Sequence, residues 1–283
     1  MAAGQVILIT GCSSGIGRAT ALEAARRGFR VFASARDVAD LAEIARPPSV
    51  ETLALDVTDQ HSIWAAVASV MAAAGRIDAL VNAAGYAHYG AVEDVSPEEW
   101  RAQFDVNFFG AVDLSRSVLP YMREARRGTI LMVSSVGGRI VVPFAAPYCA
   151  SKHALEAVSD SLRVEAAPFG VRVVVVEPGP VETRFADKAR RLVAPLLARP
   201  GPYRALYAGA EGAMNGDFQR GGGSAESVAR VVVDAIEARR PKPRYRVTPM
   251  ARLLIPLSRV LPDRAIDAMM RRSLKVPRKI DNG

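Results

Sequence analysis

Residues 6–17 read VILITGCSSGIG, a short apolar run that leads directly into a glycine-rich turn. Four consecutive apolar residues, Val6-Ile7-Leu8-Ile9, are typical of a central strand that helices cover on both faces. The segment after Gly17 is rich in Ala, Glu and Arg, which favour helix. A strand, a glycine turn and a helix in this order form the context that a dinucleotide-binding site requires.

The three glycines of this turn have separate predicted roles. Gly11 permits a tight turn, Gly15 lets backbone N–H groups approach a pyrophosphate, and Gly17 lets the helix pack closely on the strand. The spacing G-x-x-x-G-x-G differs from the common G-x-G-x-x-G, so a plain glycine-rich turn remains an alternative at this point. The predicted phosphate site consists of Gly11, Ser13, Ser14, Gly15, Ile16 and Gly17.

The alternation of strand and helix continues along the chain. Apolar, β-branched runs separated by helix-favouring segments indicate a parallel sheet. We predict one α/β domain over residues 1–283, with a doubly wound, Rossmann-like sheet of about seven strands and helices on both faces. The predicted strands are Val6–Thr10, Arg30–Ala35, Thr52–Asp56, Ala79–Asn82, Thr129–Ser134, Val171–Glu177 and Tyr245–Val247, and the predicted helices are Arg18–Arg27, Ser62–Ala74, Pro97–Met122, Tyr148–Ala167 and Ser224–Ala238.

Composition excludes several classes of protein. Hydrophobic residues make up 50% of the chain and charged residues 23%, which is typical of a globular protein. Cys12 and Cys149 are too few for a disulfide framework, and neither stands at a metal-ligand spacing, so we expect no metal and a cytoplasmic location. We also expect no signal peptide and no transmembrane segment, because the apolar runs are too short.

The net charge of +8 arises from the C-terminal region. Residues 239–279 contain thirteen Lys or Arg against two acids, Asp263 and Asp267. No recognisable nucleic-acid module accompanies these basic residues, so we expect a solvated face and no DNA or RNA partner. Residues 249–283 are predicted to form amphipathic helices, which either cap a substrate pocket or make peripheral contact with an anionic membrane.

Four further signals follow the glycine turn. The small residues of Asn82-Ala83-Ala84-Gly85 close the fourth predicted strand and leave room for a flat cofactor. Asn107 lies in the middle of a predicted helix, where a buried amide is costly unless it is hydrogen-bonded. Ser135 ends the fifth strand, and Tyr148 and Lys152, four residues apart, share one helix face.

These residues together resemble the short-chain dehydrogenase/reductase family. Its marks are T-G-x-x-x-G-x-G, N-A-A-G, an Asn, a Ser thirteen residues before a Tyr, and Y-x-x-x-K, and each is present in order over residues 4–250. The thirteen-residue spacing selects Ser135 over the neighbouring Ser134. Residues 136–138, 148–152 and 168–171 are similar to the 17-beta-hydroxysteroid dehydrogenase and retinol dehydrogenase branch.

The resemblance implies hydride transfer between nicotinamide and a secondary alcohol or ketone, with Asn107, Ser135, Tyr148 and Lys152 as the catalytic set. Tyr148 is the expected acid/base, because the charge of Lys152 favours the phenolate. Ser135 is expected to hold the substrate oxygen, and Asn107 a water that connects Lys152 to solvent. Tyr148 and Lys152 also belong to the expected cofactor site, with Asp56, Val57, Asn82, Ala83, Ala84, Gly85, Pro178, Gly179, Val181 and Thr183.

The end of the second predicted strand favours NADP(H) over NAD(H). An NAD site places an acid there to bind the ribose hydroxyls, and on the family pattern Ala35 takes that position. The guanidinium of Arg36 can bind a 2′-phosphate, with Ser14 as a neutral helper. Asp37 is predicted to cap the following helix instead.

The predicted substrate is a bulky, lipophilic ketone or alcohol, such as a steroid, a retinoid or a polyketide-like compound. This expectation depends on the branch resemblance and on apolar loops at the carboxyl edge of the sheet. Residues 183–223 are predicted to form a helical substrate lid, with a surface helical hairpin as the alternative. The candidate substrate contacts are Tyr86, His88, Val142 and Phe144.

Family members commonly pair through two long helices, so we expect a homodimer or a homotetramer. Two other functions remain open at this point. A non-catalytic NADP(H)-binding regulator would use the same fold, but it would normally have lost Tyr148 or Lys152. A sugar-nucleotide epimerase or dehydratase shares Y-x-x-x-K, but it has a different glycine spacing and a longer substrate domain.

Overall fold

The computed structural model describes residues 4–45, 47–182, 201–215 and 222–276, together with the single positions 195 and 198. Thr183 and much of the predicted lid lie outside the described residues. Within them, seven parallel strands form one sheet in the order β3-β2-β1-β4-β5-β6-β9. These strands are β1 Val6–Ile9, β2 Arg30–Ala35, β3 Val50–Ala54, β4 Ala79–Asn82, β5 Gly128–Val133, β6 Val171–Glu177 and β9 Arg244–Arg246.

The described helices cover both faces of the sheet, as the sequence predicts. They are α1 Gly15–Arg26, α2 Gln60–Ala74, α3 Pro97–Phe104, α4 Gly110–Glu124, α5 Ala146–Ala166, α6 Arg204–Asn215, α7 Ala225–Glu237, α8 Pro249–Leu257 and α9 Asp263–Ser273. Alternate strand residues pack in opposite directions: Ile7 and Ile9 lie with α1 and α7, whereas Leu8 lies with α2, α4 and α5. The prediction of a doubly wound α/β sheet is confirmed.

The order of the strands determines where a ligand can bind. The chain builds β1, β2 and β3 outward in one direction and then returns to place β4 on the other side of β1. Crevices at such a reversal, at the carboxyl ends of the strands, are where doubly wound sheets bind nucleotides. The glycine turn after β1 and the loop after β4 meet at this crevice.

The long helix predicted over Pro97–Met122 is interrupted. A π-helical turn, Asp105–Phe109, separates α3 from α4 and contains Asn107. The apolar pattern does not reveal this turn, because an extra residue in one turn leaves the composition unchanged. The helix that carries Tyr148 also begins earlier than predicted, at Ala146.

Other differences concern boundaries and one small addition. Strand β3 covers Val50–Ala54, so Asp56 and Val57 lie in the following loop and not at the strand end. Two short parallel strands, β7 Val181–Glu182 and β8 Gly223–Ser224, form a separate pair that the sequence analysis missed. Two-residue strands carry too few residues for an alternating pattern to be recognised.

The C-terminal region forms the predicted amphipathic helices. Ala251 and Ile255 of α8 and Met270 of α9 are buried against Ile140, which lies in the loop after β5. Leu274, after α9, forms a second buried cluster with Ala210 of α6, and Val142 and Phe144 pack against that cluster. The inner face of this region therefore covers loops at the carboxyl edge of the sheet. In the described part of the chain, no helix combines the length and the apolar composition needed to cross a membrane.

Candidate active site

The glycine turn after β1 adopts the geometry that its sequence predicts. Gly11 has a φ of +72°, and a Cβ atom there would lie 2.8 Å from the Cα atom of Ala84. A Cβ atom on Gly17 would lie 2.4 Å from the carbonyl oxygen of Gly11, so α1 packs directly on the turn. Larger residues cannot occupy either position without moving the backbone.

The start of α1 is suited to an anion. Gly15, its first residue, has a φ of +57°, which glycine adopts easily. Ser14 precedes it and makes no capping hydrogen bond with its side chain, and the first turn contains no acidic residue. The first backbone N–H groups of a helix lack partners within the helix and carry partial positive charge. These residues therefore fit the pyrophosphate of a dinucleotide.

Thr10 joins the glycine turn to the loop after β4. Its Oγ1 accepts hydrogen bonds from the N–H groups of Ala83 and Ala84, each at 3.0 Å, and donates one to the Val81 carbonyl at 3.4 Å. The sequence analysis did not assign Thr10 to the site. Its signal was present, because a hydroxyl at the end of a buried strand requires a partner.

The side chain of Asn82 faces the interior of the protein. Its side chain is buried, and Nδ2 donates to Ser115 Oγ on α4 at 3.0 Å and to the sulfur of Met132 at 3.3 Å. The side chain thus fixes β4 between α4 and β5 and does not lie at the open edge of the sheet. Contact between this segment and the cofactor, through the backbone of Asn82 or through Ala83, Ala84 and Gly85, stays a prediction.

Asn107 connects the loop after β4 to α5. Its Nδ2 donates to the carbonyl of Tyr86 at 2.9 Å and to Ser151 Oγ at 3.1 Å, while Oδ1 accepts from the N–H of Tyr86 at 3.0 Å. Both amide hydrogens are therefore used by protein groups. A water held by Asn107, as the family resemblance implies, would have to donate to Oδ1, and this role stays a prediction.

Ser135 and Tyr148 share a hydrogen bond at the end of β5. Burial raises the pKa of Tyr148 well above its ordinary value, and the hydrogen bond with Ser135 opposes this shift. Ser135 Oγ also accepts from the N–H of Gly137 at 3.0 Å, which orients its hydroxyl. Ser134 Oγ is buried without a partner in the described residues. The structure therefore brings Ser135 to Tyr148, as the thirteen-residue spacing predicts.

Lys152 lies one helical turn after Tyr148 and is almost fully buried. Its Nζ donates to the carbonyl of Val133 at 2.8 Å. Burial lowers the pKa of Lys152 to about 8, against the opposing effect of the Glu156 carboxylate. A lysine ammonium has three N–H donors, so two remain for a ligand at this position.

A buried group of charges extends from Lys152, and the sequence analysis did not identify it. Glu156 Oε2 lies 3.0 Å from Arg244 Nε and 3.9 Å from Arg139. The side chain of Glu177, at the end of β6, is fully buried, 3.5 Å from Arg139 and 3.4 Å from both Arg244 and Arg246. Burial and the nearby Glu156 raise the pKa of Glu177. The group joins α5, the helix that carries Tyr148 and Lys152, to β6 and β9.

The end of β2 lies beside the glycine turn, because the N–H of Cys12 donates to the carbonyl of Ser34 at 2.9 Å. Arg36 is exposed there and has no ion pair among the described residues. Asp37 Oδ1 accepts from the N–H of Ala39 at 2.8 Å, which confirms the predicted cap. Asp56 Oδ1 accepts from the N–H and Oγ1 of Thr58, at 2.9 and 2.8 Å, so it fixes its own loop.

The segment after β6 is fixed on both sides. The carbonyl of Pro178 accepts from the N–H of Val136 at 2.7 Å, and the N–H of Gly179 donates to Thr248 Oγ1 at 3.1 Å. Thr248 is a further positioning residue that the sequence analysis missed. The side chain of Val181 packs against Ala19 and the start of α7, and its predicted contact with the cofactor stays a prediction.

The predicted substrate residues fall into two groups. Phe144 has a strained φ of +65°, and its ring meets Tyr207 of α6 edge to face at 5.4 Å between centroids. Val142 lies in the same cluster. Tyr86 is partly exposed in the loop after β4. His88 is largely buried, with Nε2 3.6 Å from Glu99 of α3, so contact between His88 and a substrate stays a prediction.

Comparison with known proteins identifies the family. The family model described as short chain dehydrogenase matches residues 5–193. The chain belongs to this family. A 3-ketodihydrosphingosine reductase of Bacteroides thetaiotaomicron is 34% identical over 94% of this chain and 97% of its own length. An NADPH-dependent 3-dehydrocapnine reductase of Ornithobacterium rhinotracheale is also 34% identical, over 95% of this chain and 96% of its own.

Two further matches bear on the branch and on the fold. The human 17-beta-hydroxysteroid dehydrogenase type 1 is 38% identical over 86% of this short-chain dehydrogenase and 77% of its own length. A solved short-chain dehydrogenase/reductase of Burkholderia phymatum, in complex with NAD, is 26% identical and covers 99% of both chains with a TM-score of 0.79. The predicted family and its hydroxysteroid dehydrogenase-like character are therefore confirmed.

Proposed function

We propose that this short-chain dehydrogenase uses NADP(H) to reduce a bulky, lipophilic ketone, with Tyr148 as the proton donor. The observation that carries the proposal is the buried arrangement at the end of β5. Ser135 hydrogen-bonds Tyr148, and the cationic side chain of Lys152 lies one turn further along α5. This combination supports an active enzyme over a non-catalytic regulator.

Each residue has a defined task in the proposed reaction. The nicotinamide, when bound, supplies or accepts the hydride. Burial keeps the phenol of Tyr148 protonated at neutral pH, which is the form that donates a proton to a ketone oxygen. Ser135 holds that oxygen while it gains negative charge. The ammonium of Lys152 uses its remaining donors for the nicotinamide ribose, and its charge stabilises the phenolate that forms.

The lipophilic substrate is supported by the residues around the candidate site. Phe144 and Val142 are partly exposed apolar residues in the loop after β5, and the buried ring of Tyr207 on α6 packs against Phe144. Two relatives have names that specify reduction of a ketone, and 3-ketodihydrosphingosine is a ketone on a long alkyl chain. A third relative is a hydroxysteroid dehydrogenase. We include a long-chain 3-keto lipid in the proposed substrate class, beside steroid, retinoid and polyketide-like ketones.

A panel of carbonyl compounds tests this function. With NADPH, we expect measurable turnover of long-chain or polycyclic ketones and little turnover of sugars or small hydroxy acids, because apolar contact area supplies the binding energy. The measurement is the loss of absorbance of the reduced nicotinamide, with the Tyr148→Phe variant as a blank.

The outcomes of the panel separate the alternatives. Turnover of small polar substrates alone would contradict the lipophilic assignment. Binding of NADPH without any turnover would favour a regulator. Product formation from a sugar nucleotide without net change in absorbance would favour an epimerase or dehydratase.

The charge of Glu156 gives a prediction for the pH dependence. Glu156 raises the pKa of Lys152, so Glu156→Gln is expected to lower it further below about 8. Because the ammonium form is needed, the decline of kcat/KM for ketone reduction at alkaline pH should move to lower pH. The other charged groups around Glu156 are Arg139, Arg244 and Glu177, which the substitution leaves in place.

Glu165→Gln is the matched control for this variant, since Glu165 lies on the same helix and is exposed. Its pH profile should coincide with that of the wild type. If Glu156→Gln folds normally and its alkaline decline does not move, Glu156 has no influence on the ionisation of Lys152 during the reaction.

A further inference from the structure

Helix α8 has two apolar faces, and only one of them is covered. Ala251 and Ile255 are buried against the loop after β5. On the opposite side, Leu253 is 66% exposed, and Val260, just beyond the helix end, is 78% exposed. Large apolar side chains exposed together mark surfaces that contact another phase or another molecule.

The apolar residues on this side follow a helical spacing. Leu253, Pro256, Leu257 and Val260 recur at intervals of three and four, which places them along one side of the segment. Together with Arg252 they line one shallow surface, which we call the outer strip. Leu253, Pro256 and Val260 are exposed among the described residues, and Leu257 is partly buried.

The charged residues of the segment that forms the outer strip are all basic. Residues 249–262 contain Arg252 and Arg259 and no acidic residue. Arg252 and Arg259 are exposed and form no ion pair among the described residues, and the acids that follow, Asp263 and Asp267, belong to α9. A surface with apolar residues at its centre and unpaired arginines at its margin is complementary to an anionic bilayer. The apolar residues can contact the acyl chains, and the arginines can bind the anionic headgroups.

We propose that the outer strip docks on the surface of an anionic bilayer. Helix α8 has nine residues and is about 14 Å long, which is too short to cross a membrane, so it would lie in the plane of the headgroups. The opposite face of α8 packs on Ile140, in the loop that follows Ser135. Docking would therefore place the bilayer on the side of α8 that faces away from the candidate active site. This inference goes beyond the proposed function and does not depend on it.

Flotation with lipid vesicles tests the docking. The full chain is expected to float with vesicles of equal parts phosphatidylglycerol and phosphatidylcholine, weakly or not at all with phosphatidylcholine alone, and less as salt is raised. Leu253→Ser with Val260→Ser should abolish flotation. Arg252→Gln with Arg259→Gln should lower the partition coefficient roughly thirtyfold, given the typical contribution of each basic residue.

Matched controls separate this surface from general adsorption. Val164 on α5 is 72% exposed, so Val164→Ser removes an equal apolar side chain elsewhere. Arg101→Gln with Arg116→Gln removes the same charge from exposed positions on α3 and α4. The control variants should float like the wild type.

The result overturns the proposal if the wild type does not float with anionic vesicles, or if the outer-strip variants float as well as the controls. Light scattering tests a different occupant of the strip. If the wild type forms a larger assembly and only Leu253→Ser with Val260→Ser dissociates it, the strip binds a second copy of this chain and the proposal is overturned. Reduction of a ketone dissolved without lipid is measured on the same variants and should be unchanged. An inactive wild type that still floats would contradict the proposed function and leave the docking intact.

Discussion

Replacement of Tyr148 by phenylalanine is expected to lower kcat for ketone reduction by about 10²- to 10⁴-fold, the usual contribution of a general acid. The substitution removes only the phenolic oxygen, and the ring can keep its place in the buried site. Ser135 and Lys152 keep their other hydrogen bonds, to Gly137 and Val133. Binding of NADPH, measured by titration calorimetry, should therefore change little.

Two comparisons make this result specific. Tyr121→Phe removes the same oxygen from a half-exposed tyrosine on α4 and should have no effect on kcat. Lys152→Ala should harm both cofactor binding and kcat, because the lysine is proposed to contact the ribose and to stabilise the phenolate. If Tyr148→Phe keeps more than about a tenth of the wild-type rate, Tyr148 is not the acid/base.

The sheet and the Ser135–Tyr148 pairing could be predicted because local patterns specify them. An apolar run such as Val6–Ile9 must be buried on both faces, and its only satisfactory neighbours are other strands of one parallel sheet. The spacing of Tyr148 and Lys152 places both on one helix face whatever surrounds them. These inferences need no knowledge of residues distant in the chain.

The contacts that fix the site could not be predicted in this way. Thr10 bonds to Ala83 and Ala84, more than seventy positions later, and Thr248 fixes Gly179 from a distance of 69 positions. The partners of a buried polar group are set by tertiary packing, and a single sequence does not identify them. The same reason explains why Asn82 was assigned to the cofactor, although its amide bonds to Ser115 of α4.

The group of Glu156, Glu177 and Arg244 illustrates the limit most clearly. In sequence each of these residues is typical of a solvated surface, since charged residues are rarely fully buried without a partner. Their burial follows from the convergence of α5, β6 and β9, which only the fold reveals. The sequence alone predicts that Lys152 belongs to the site. The shift in its pKa could be predicted only from the structure, which shows the buried charges around it.

Preference for NADPH over NADH is expected to be about ten- to a hundredfold in kcat/KM, and it depends on the end of β2. The position that carries an acid in NAD sites is Ala35, which cannot bind ribose hydroxyls or repel a phosphate. Arg36 is exposed beside the glycine turn and has no ion pair in the described part of the chain, so its guanidinium is available for a 2′-phosphate. Charge-assisted hydrogen bonds of this kind are strong, but exposure to solvent reduces their contribution, which sets the expected range.

Asp37 is the residue that could weaken this expectation, since it is an acid that directly follows Arg36 in the sequence. Its carboxylate accepts the hydrogen bond that begins the helical turn after β2, at 2.8 Å from the N–H of Ala39, and this use as a cap opposes a second role as a ribose ligand. The test is kcat/KM for both cofactors on the wild type and on Ala35→Asp with Arg36→Ala. We expect the double variant to prefer NADH, Arg36→Ala alone to lose most of the preference, and Arg116→Ala on α4 to retain it. Equal use of both cofactors by the wild type, or an unchanged preference in the double variant, would place the 2′-phosphate site away from Arg36.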